Sequence, residues 1–599
     1  MHDKFRVLVV DLTSKKSKIE YFDTRKKWIG GSGLAAGLFE QYALFDQDPF
    51  HPDQPVIFAI GPLTGLFPMM SKTIMSFMSP YNSQYAESHG GGRSALALRF
   101  AGYDALVITG RAEKLTCLGF GSNEIHIQDV HYLKGMDIFK TGKILRNLKP
   151  KNPGHRSILR IGPAGENLVS YACVNIDTYR HFGRMGGGAA LGAKNIKGII
   201  ISGDSTFDLP ADAVKEYGKT YKDIYKDVTE TGAVRKYHDL GTPENLIPLN
   251  ELKALPWRNL QSTHDPDIES ISGEKFAEEL LLRQVACAGC PVGCIHIGLL
   301  RERFGDEHEF LYRQVSYDYE PIFGVGSMLG VTSASGVLTL LEDVERLGLD
   351  AISAGVALAW TTEALEKGFV STEQTLADLK FGDVQSYRTA LQNLADQTNE
   401  FYRYLGKGSL VAAKKYGGED FACVLGQEMA GYATGENYYV SQALGFRHSH
   451  LDTGAYSFDQ EEQAKDVEKS INYMQNQEYY RILMCSVAGC LFGRKAYPKE
   501  NILKALNSLG YDFTEQELND AVKAVQAHRW AIKFRTGFRP EEITIPKRFF
   551  EVETWKGKAD PEYLFKLKDE YQKVLLDIAE KHVFADAEEN DEEKPEKSE

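Results

Sequence analysis

The sequence has few cysteines for its length and no long apolar run. Only 8 cysteines occur in 599 residues, which is too sparse for a disulfide scaffold. No stretch approaches the roughly 20 apolar residues that cross a bilayer as a helix. The N-terminus also lacks a basic region followed by an apolar stretch, and it lacks a twin-arginine pair. We therefore expect a cytoplasmic protein with no membrane span.

Basic residues are outnumbered by acidic ones. The chain has 69 Lys and Arg against 83 Asp and Glu, which gives a net charge of −14. Nucleic-acid-binding proteins usually carry a basic stripe, so we expect no nucleic-acid partner. Part of the charge lies in residues 585–599, which lack apolar anchors. Such a composition predicts a disordered acidic tail.

The pattern of apolar residues changes along the chain. Short apolar runs at 7–12, 56–60, 105–109 and 198–202 alternate with glycine-rich turns and are typical of strands. After about residue 205 the apolar residues recur at helical intervals. The length also exceeds that of one ordinary domain. We predict a β-rich domain at 1–205, mainly helical domains at 206–420 and 421–584, and the acidic tail at 585–599.

Three cysteines lie close together in the helical part. Cys287, Cys290 and Cys294 form the pattern CAGCPVGC, which can hold three irons of a [4Fe–4S] cluster. Each cluster iron needs its own thiolate, so a fourth ligand must come from elsewhere, and Cys490 is the best remote candidate. A zinc knuckle or a redox CxxC site is the alternative, although closed zinc sites more often pair two CxxC hooks.

A second dense motif is rich in glycine. Residues 183–197 read GRMGGGAALGAKNIK, where glycines allow backbone N–H groups to approach an anionic ligand and Arg184 supplies positive charge. The motif is not a dinucleotide fingerprint, and it lacks the GK[ST] ending of a P-loop. Tight loop packing would explain it equally well.

Taken in order, these segments resemble the aldehyde:ferredoxin oxidoreductase family of tungsten- or molybdenum-pterin enzymes. The resemblance extends from about residue 5 to about residue 550. The matching segments are IGPLTG at 60–65, LRFAGYD at 98–104, IGPAGEN at 161–167, the motif at 183–197, LPWRN at 255–259, the three cysteines, YE at 319–320 and GLD at 348–350.

The resemblance implies an α+β fold in which a cofactor-binding base of two β-sheets lies under two mainly α-helical domains. A tungsten or molybdenum ion held by two pyranopterins would be buried between them, and a magnesium ion bridging the pterin phosphates is left open. The first pterin would lie near Lys72, His89, Gly91, Phe182, Gly183 and Arg184. The second would be held by ERLGLD at 345–350 and CSVAGC at 485–490, through Glu345, Leu349, Asp350, Cys485 and Gly489. The latter motif ends in Cys490, which supports it as the fourth cluster ligand.

Three residues depart from the family pattern. Lys72 stands where an arginine is common, and a compact ammonium cannot reproduce the planar guanidinium fork. Glu345 and Cys485 each stand in place of an aspartate. Cys485 is equally well explained as a small buried apolar residue. No histidine lies between His308 and His448, so a Glu-x-x-His metal site bridging two subunits is not expected.

The resemblance implies oxidation of an aldehyde to a carboxylic acid, with electrons passing through the cluster to a ferredoxin or a small iron–sulfur subunit. Glu320 matches the family's active-site glutamate and would deprotonate a water. His448 matches the active-site histidine and would hydrogen-bond the developing oxyanion or relay a proton. His450 fits a pterin-contacting position. Association with another copy or another subunit is left open.

Two other functions remain. Reduction of an aromatic acyl-CoA would use the same cofactors on the same fold. A non-catalytic iron–sulfur scaffold is favoured only by the departures at Lys72, Glu345 and Cys485, and the presence of Glu320 and His448 speaks against it.

Overall fold

The structure is a computed structural model. It describes residues 4–592 apart from 152–153, 207–208, 210–212, 231, 233, 306–307 and 463, with side chains described as far as Lys581.

Two six-stranded sheets form the N-terminal base. In the first sheet, the strand Lys4–Asp11 runs antiparallel to Lys16–Thr24 and parallel to Ala105–Thr109. Its inner strands are buried on both faces, which is why they appear as continuous apolar runs rather than alternating ones. The spatial order is Lys16–Thr24, Lys4–Asp11, Ala105–Thr109, Val56–Ala59, Thr73–Met78 and Tyr85–Gly90.

The second sheet is built around Ile196–Gly203, a strand buried along its whole length. It pairs parallel with Thr116–Phe120 and antiparallel with His155–Arg160. Apolar side chains of both sheets, such as Phe58 and Ile199, form one shared core. The spatial order is Arg180–Phe182, Val174–Ile176, His155–Arg160, Ile196–Gly203, Thr116–Phe120 and Ile125–Asp129.

Short helices connect the strands of the base and place its loops. Helix Gly31–Tyr42 packs against the first sheet, and helix Gly187–Ala193, from the glycine-rich motif, packs against the second. The helices of the base are Arg25–Trp28, Gly31–Tyr42, Ser94–Phe100, Ile138–Leu145, Pro163–Glu166 and Gly187–Ala193.

The rest of the chain is mainly helical, as the apolar periodicity predicts. Helix Ala351–Glu366 is almost entirely buried, and Glu515–Arg535 packs against Pro561–Glu592. The α-helices between residues 213 and 486 are Ala213–Glu230, Arg235–Asp239, Leu246–Glu251, Gly273–Glu279, Tyr319–Val325, Ala334–Leu347, Ala351–Glu366, Thr372–Thr375, Val384–Asp396, Glu400–Leu405, Ser409–Tyr416, Glu436–Leu444, Ala455–Glu461 and Val467–Ser486. They are followed by Lys499–Asn507, Glu515–Arg535, Arg548–Glu551 and Pro561–Glu592.

The fold class is therefore confirmed: two β-sheets form a base that precedes a mainly helical region. The last helix continues beyond residue 580 into the acidic segment 585–599, and residues 593–599 of that segment lie outside the described part of the chain. The domain divisions at residues 205 and 420 stay a prediction.

Two small sheets interrupt the helical part. Strands Leu281–Val285, Ile295–Arg303 and Phe310–Tyr317 form an antiparallel three-stranded sheet. The loop that joins the first two strands carries Cys287, Cys290 and Cys294. A two-stranded sheet, Val424–Leu425 with Gln427–Glu428, lies further along the chain.

Within the described residues, no single helix is long and apolar enough to cross a membrane. One bent pair, Tyr319–Leu329 with Ala334–Leu347, reaches that length and composition only when its two parts are taken together.

Candidate active site

A cavity of about 400 Å³ lies where the β-base, the cysteine loop and the helical part meet. Its wall brings together residues that are far apart in the sequence. Of the residues predicted from the sequence, those that line it are Lys72, His89, Gly91, Gly183, Arg184, Cys287, Cys290, Cys294, Glu320, Glu345, Leu349, Asp350, His450, Cys485, Gly489 and Cys490.

Four thiols occupy one side of the cavity, and none of them forms a disulfide. Cys490 follows helix Val467–Ser486 and is held against the cysteine loop by the backbone of Met69. The Met69 N–H donates to the carbonyl of Gly289 at 3.2 Å, and the Cys490 N–H donates to the carbonyl of Met69 at 3.1 Å. The positive φ of 70° at Gly289 suits glycine. The backbone of one residue thus links the distant cysteine to the loop that carries the other three.

The spacing of these thiols bears on the zinc alternative. Thiolates of a closed zinc site lie about 2.3 Å from the metal, so they must converge on one point. In the described part of the chain, no three His, Cys, Asp or Glu side chains converge closely enough to hold one metal ion. The four thiols line one cavity, and the choice between a cluster and zinc stays a prediction.

Positive charge surrounds the thiols. Arg180 Nη2 donates to Cys294 Sγ at 3.5 Å, and Lys72 lines the same wall. Burial raises the pKa of Cys290 to about 12 and that of Cys294 to about 11. At Cys287 burial also acts to raise the pKa, but Arg180 and Lys72 outweigh it and lower the pKa. These cations favour the thiolate form that binds iron.

Arg184 and Asp350 form a rigid pair on the wall near the glycine-rich motif. Arg184 Nε lies 3.2 Å from Asp350 Oδ2, and Arg184 Nη2 donates to the carbonyl of Glu428 at 2.7 Å. Asp350 caps helix Ala351–Glu366 by accepting from the N–H groups of Ile352 and Ser353. The start of this helix and the guanidinium provide positive potential suited to an anionic group.

Glu345 lines the cavity and also contacts the β-base. Its Oε2 lies 2.7 Å from His181 Nε2, and its Oε1 accepts from Asn175 Nδ2 at 2.8 Å. Leu349, in the same motif, forms an isolated bridge with Ala172. The motif 345–350 therefore joins the helical part to the second sheet of the base.

Cys485 and His89 meet at the lining of the same cavity. Cys485 Sγ lies 3.5 Å from His89 Nδ1, which also accepts from Arg447 Nη1 at 3.2 Å. His89 Nε2 lies 3.1 Å from Glu87 Oε2. Burial acts to raise the pKa of Cys485, but His89 and Arg447 outweigh it and lower the pKa. This buried thiol lines the cavity, and its role stays a prediction.

Glu320 lies in the first turn of helix Tyr319–Val325 and is paired with His450. Its Oε1 lies 3.0 Å from His450 Nε2 and accepts from the Tyr432 hydroxyl at 3.0 Å. Burial acts to raise the pKa of Glu320, but the hydrogen bond and charge of His450 lower it overall. His450 Nδ1 is buried and has no partner among the described residues.

Two predicted site residues do not reach the cavity. Phe182 packs against Phe58 in the core between the sheets. His448 Nδ1 lies 2.9 Å from the carbonyl of Ala443, and burial together with Lys533 lowers the pKa of His448 to about 3. His448 has a positive φ of 50°, and the chain turns there. The histidine beside Glu320 is therefore His450, and the role predicted for His448 finds no support in this geometry.

Several lining residues were missed by the sequence reasoning. Asp318 and Arg180 lie near the thiols, and Arg447 lies near His89. Asp318 stands two residues before Glu320 and Arg180 four residues before Arg184, so proximity to recognised motifs was the available signal. Tyr432 had no such signal, because it reaches Glu320 from a distant loop.

These residues fit the cofactors that the resemblance implies. Four free thiols face the cavity, and the space continues to the Glu320–His450 pair. A Cβ built on Gly183 would meet no atom within 4 Å, and the unpartnered His450 Nδ1 lacks a hydrogen-bonding group. Thiols, a guanidinium and a helix start are the donor types that an iron–sulfur cluster and anionic pterin groups require.

Comparison with known proteins places this fold, with its two-sheet base, helical part and cavity lined by four free thiols, in a class of oxidoreductases. The family model described as "Aldehyde ferredoxin oxidoreductase, N-terminal domain" matches residues 7–203. The model for domains 2 and 3 of the same family matches residues 219–576. The chain belongs to the aldehyde ferredoxin oxidoreductase family, and the predicted resemblance is confirmed.

Known relatives agree with this membership. The chain is 29% identical over 581 residues to the tungsten-containing aldehyde ferredoxin oxidoreductase of Pyrococcus furiosus, covering 91% of each chain. It is 28% identical over 433 residues to the WOR-like subunit of an aliphatic sulfonate oxidoreductase from the same organism, covering 68% of this chain and 67% of that one. A solved structure, the active-site complex BamBC of benzoyl coenzyme A reductase with 1,5-dienoyl-CoA, has a TM-score of 0.79 at 20% identity and covers 96% of this chain and 95% of that one. The last similarity shows a shared fold.

Proposed function

We propose that this oxidoreductase converts an aldehyde to a carboxylic acid at a tungsten or molybdenum bis-pyranopterin centre. Electrons would leave through a [4Fe–4S] cluster to a ferredoxin or a small iron–sulfur subunit. The observation that carries the proposal is one cavity with the Glu320–His450 pair on one wall and four free thiols on another. Proton-handling groups and electron-handling groups thus face the same space.

The residues that would hold the cofactors follow from the cavity wall. Cys287, Cys290, Cys294 and Cys490 would hold the cluster. Arg184 with Asp350, and His89 with Cys485, would contact the two pterins, and a magnesium ion between pterin phosphates stays a prediction. When bound, such a metal centre would polarise the carbonyl of the substrate and accept two electrons.

Glu320 supplies the base for this reaction. Oxidation of RCHO with H₂O to RCOOH releases two electrons and two protons. The lowered pKa of Glu320 keeps its carboxylate ionised near neutral pH, so it can take one proton from the attacking water. Tyr432 and His450 fix the orientation of that carboxylate.

His450 is the partner of Glu320 in this proposal. Its Nε2 lies next to Glu320, and its buried Nδ1 has no hydrogen-bond partner among the described residues, so Nδ1 is the ring nitrogen left for a bound group or a further proton acceptor. A histidine ring can hold a proton on either of its two nitrogens. Substrate orientation and the second proton thus depend on His450 in this proposal.

Metal analysis and activity assays on anaerobically purified protein test the proposal. We expect iron together with tungsten or molybdenum, and aldehyde-dependent reduction of a viologen dye. Iron without either heavier metal would favour the non-catalytic scaffold. Activity only with an aryl-CoA and a strong reductant would favour the acyl-CoA reductase alternative.

A further inference from the structure

Arg180 contacts both the thiol of Cys294 and the carboxylate of Asp318, which lies two residues before Glu320. It begins the strand Arg180–Phe182 at the edge of the second sheet. Its Nη2 donates to Cys294 Sγ at 3.5 Å, and its Nη1 lies 3.7 Å from Asp318 Oδ2. Only 22% of the Arg180 side chain is exposed. The guanidinium therefore lies between a sulfur and a carboxylate with little solvent to screen either contact.

Both ends of this contact are held in place. Asp318 caps helix Tyr319–Val325 and also accepts from the Thr242 hydroxyl. Tyr179, the neighbour of Arg180, donates its hydroxyl to Gln314 on the strand that leads to Asp318. The position of the guanidinium is thus determined by the fold on both sides.

The electrostatics of Arg180 point to the thiols as well. Burial acts to lower the pKa of Arg180, yet Cys294, Cys287, Asp318 and Cys490 raise it overall. The group stays charged under all ordinary conditions. A fixed positive charge beside a cluster stabilises the reduced form, which carries one more negative charge than the oxidised form, and hydrogen bonds to the sulfurs act in the same direction.

We propose that Arg180 is a positioning residue that raises the reduction potential of the cluster bound by the four cysteines, and that Asp318 moderates this effect by neutralising part of its charge. The inference rests on the proposed function, because it requires a cluster at these thiols. Glu320 lies two residues after Asp318. The Arg180–Asp318 ion pair therefore also links the four cysteines to helix Tyr319–Val325, which carries Glu320.

A redox titration of the cluster, followed by electron paramagnetic resonance, tests the inference. In Arg180→Gln we expect the reduced-to-oxidised equilibrium to shift at least tenfold toward the oxidised form, a fall in midpoint of about 59 mV for one electron. Arg180→Lys keeps the charge and should recover most of that shift. Asp318→Asn removes the opposing charge and should move the midpoint upward.

Arg535→Gln is the matched control. Arg535 also pairs with a carboxylate of the base, Glu40 at 3.7 Å, but its side chain is 57% exposed, so its loss should leave the midpoint unchanged. An unchanged or raised midpoint in Arg180→Gln would overturn the inference. If that variant does not retain iron, an unchanged or lowered midpoint in Asp318→Asn would overturn it. A wild-type protein without any cluster signal would instead overturn the proposed function.

Discussion

The Glu320–His450 pair gives a prediction at the scale of single residues. Glu320→Gln keeps a side chain of the same shape that can still accept from Tyr432, but it removes the carboxylate base. General-base contributions are about 10² to 10⁴, so we expect turnover to fall at least about 100-fold while iron, tungsten or molybdenum content stays at the wild-type level. Turnover measured together with metal analysis checks this.

Glu419→Gln, at an exposed position, is the control and should leave turnover unchanged. Loss of metal in Glu320→Gln would mean that Glu320 helps to hold the cofactors rather than to move a proton.

His448 gives a second residue-scale prediction, on stability against pH. Its pKa is lowered from 6.5 to about 3 in the folded protein, by burial and by Lys533. The unfolded chain therefore binds more protons between these values, and His448 contributes stability that is lost as pH falls from about 6.5 towards 3. The slope from this group approaches about 1.4 kcal/mol per pH unit. Urea unfolding between pH 4 and 6.5 should show a shallower slope in His448→Gln.

His131 provides the comparison because its side chain is exposed. His131→Gln should keep the wild-type slope, and an equally steep slope in His448→Gln would contradict the assignment of a neutral buried ring.

At the scale of elements, the end of strand Tyr85–Gly90 meets the cysteine loop without room for a side chain. A Cβ on Gly91 would lie 2.7 Å from Cys287 Sγ and 3.6 Å from Lys72 Nζ. Gly91→Ala should therefore displace the Cys287 thiol and reduce the iron content. Iron and sulfide analysis measures this directly.

Gly218→Ala is a useful partner for that variant, since Gly218 lies in helix Ala213–Glu230 and a Cβ there would meet nothing within 4 Å. It should keep its iron and gain up to about 1 kcal/mol of stability from helix propensity. Full iron content in Gly91→Ala would show that the loop has more freedom than this packing implies.

The elements also show how far the sequence predicts the structure. Continuous apolar runs predicted the buried strands, and helical periodicity predicted the later helices. The three-stranded sheet around the cysteines was missed because its first strand, Leu281–Val285, carries no buried residue, and Phe310–Tyr317 is buried only near its end. His448 and His450 are only two residues apart, and the backbone turn that separates them depends on tertiary contacts.

At the scale of the whole molecule, one buried ion pair joins the base to the C-terminal helices. Arg529, on helix Glu515–Arg535, donates to both oxygens of Glu87 at 2.7 and 3.1 Å. Burial acts to raise the pKa of Glu87, but Arg529 and His89 outweigh it and lower the pKa. Arg529→Met removes the guanidinium and leaves this buried carboxylate with His89, Ser32 and Tyr85 as partners. The loss should cost up to about 3–5 kcal/mol, measured as a lower thermal midpoint.

The double variant Glu87→Gln with Arg529→Met tests the pairing itself, because removing both charges should recover part of the loss. Additive losses in the double variant would show that the two side chains act independently.

The backbone hydrogen bonds of Met69 with Gly289 and Cys490 have a consequence for the order of chain synthesis and cluster assembly. The cysteine loop is synthesised long before Cys490, and the fourth thiol reaches the others only when the C-terminal half has folded onto the base. A ribosome-bound chain that ends before Cys490 can offer three thiols but cannot enclose a cluster. A cluster held by all four thiols would therefore have to be completed after Cys490 has been synthesised and has folded beside the cysteine loop, so cellular insertion machinery would have to recognise this folded region rather than a shorter nascent chain.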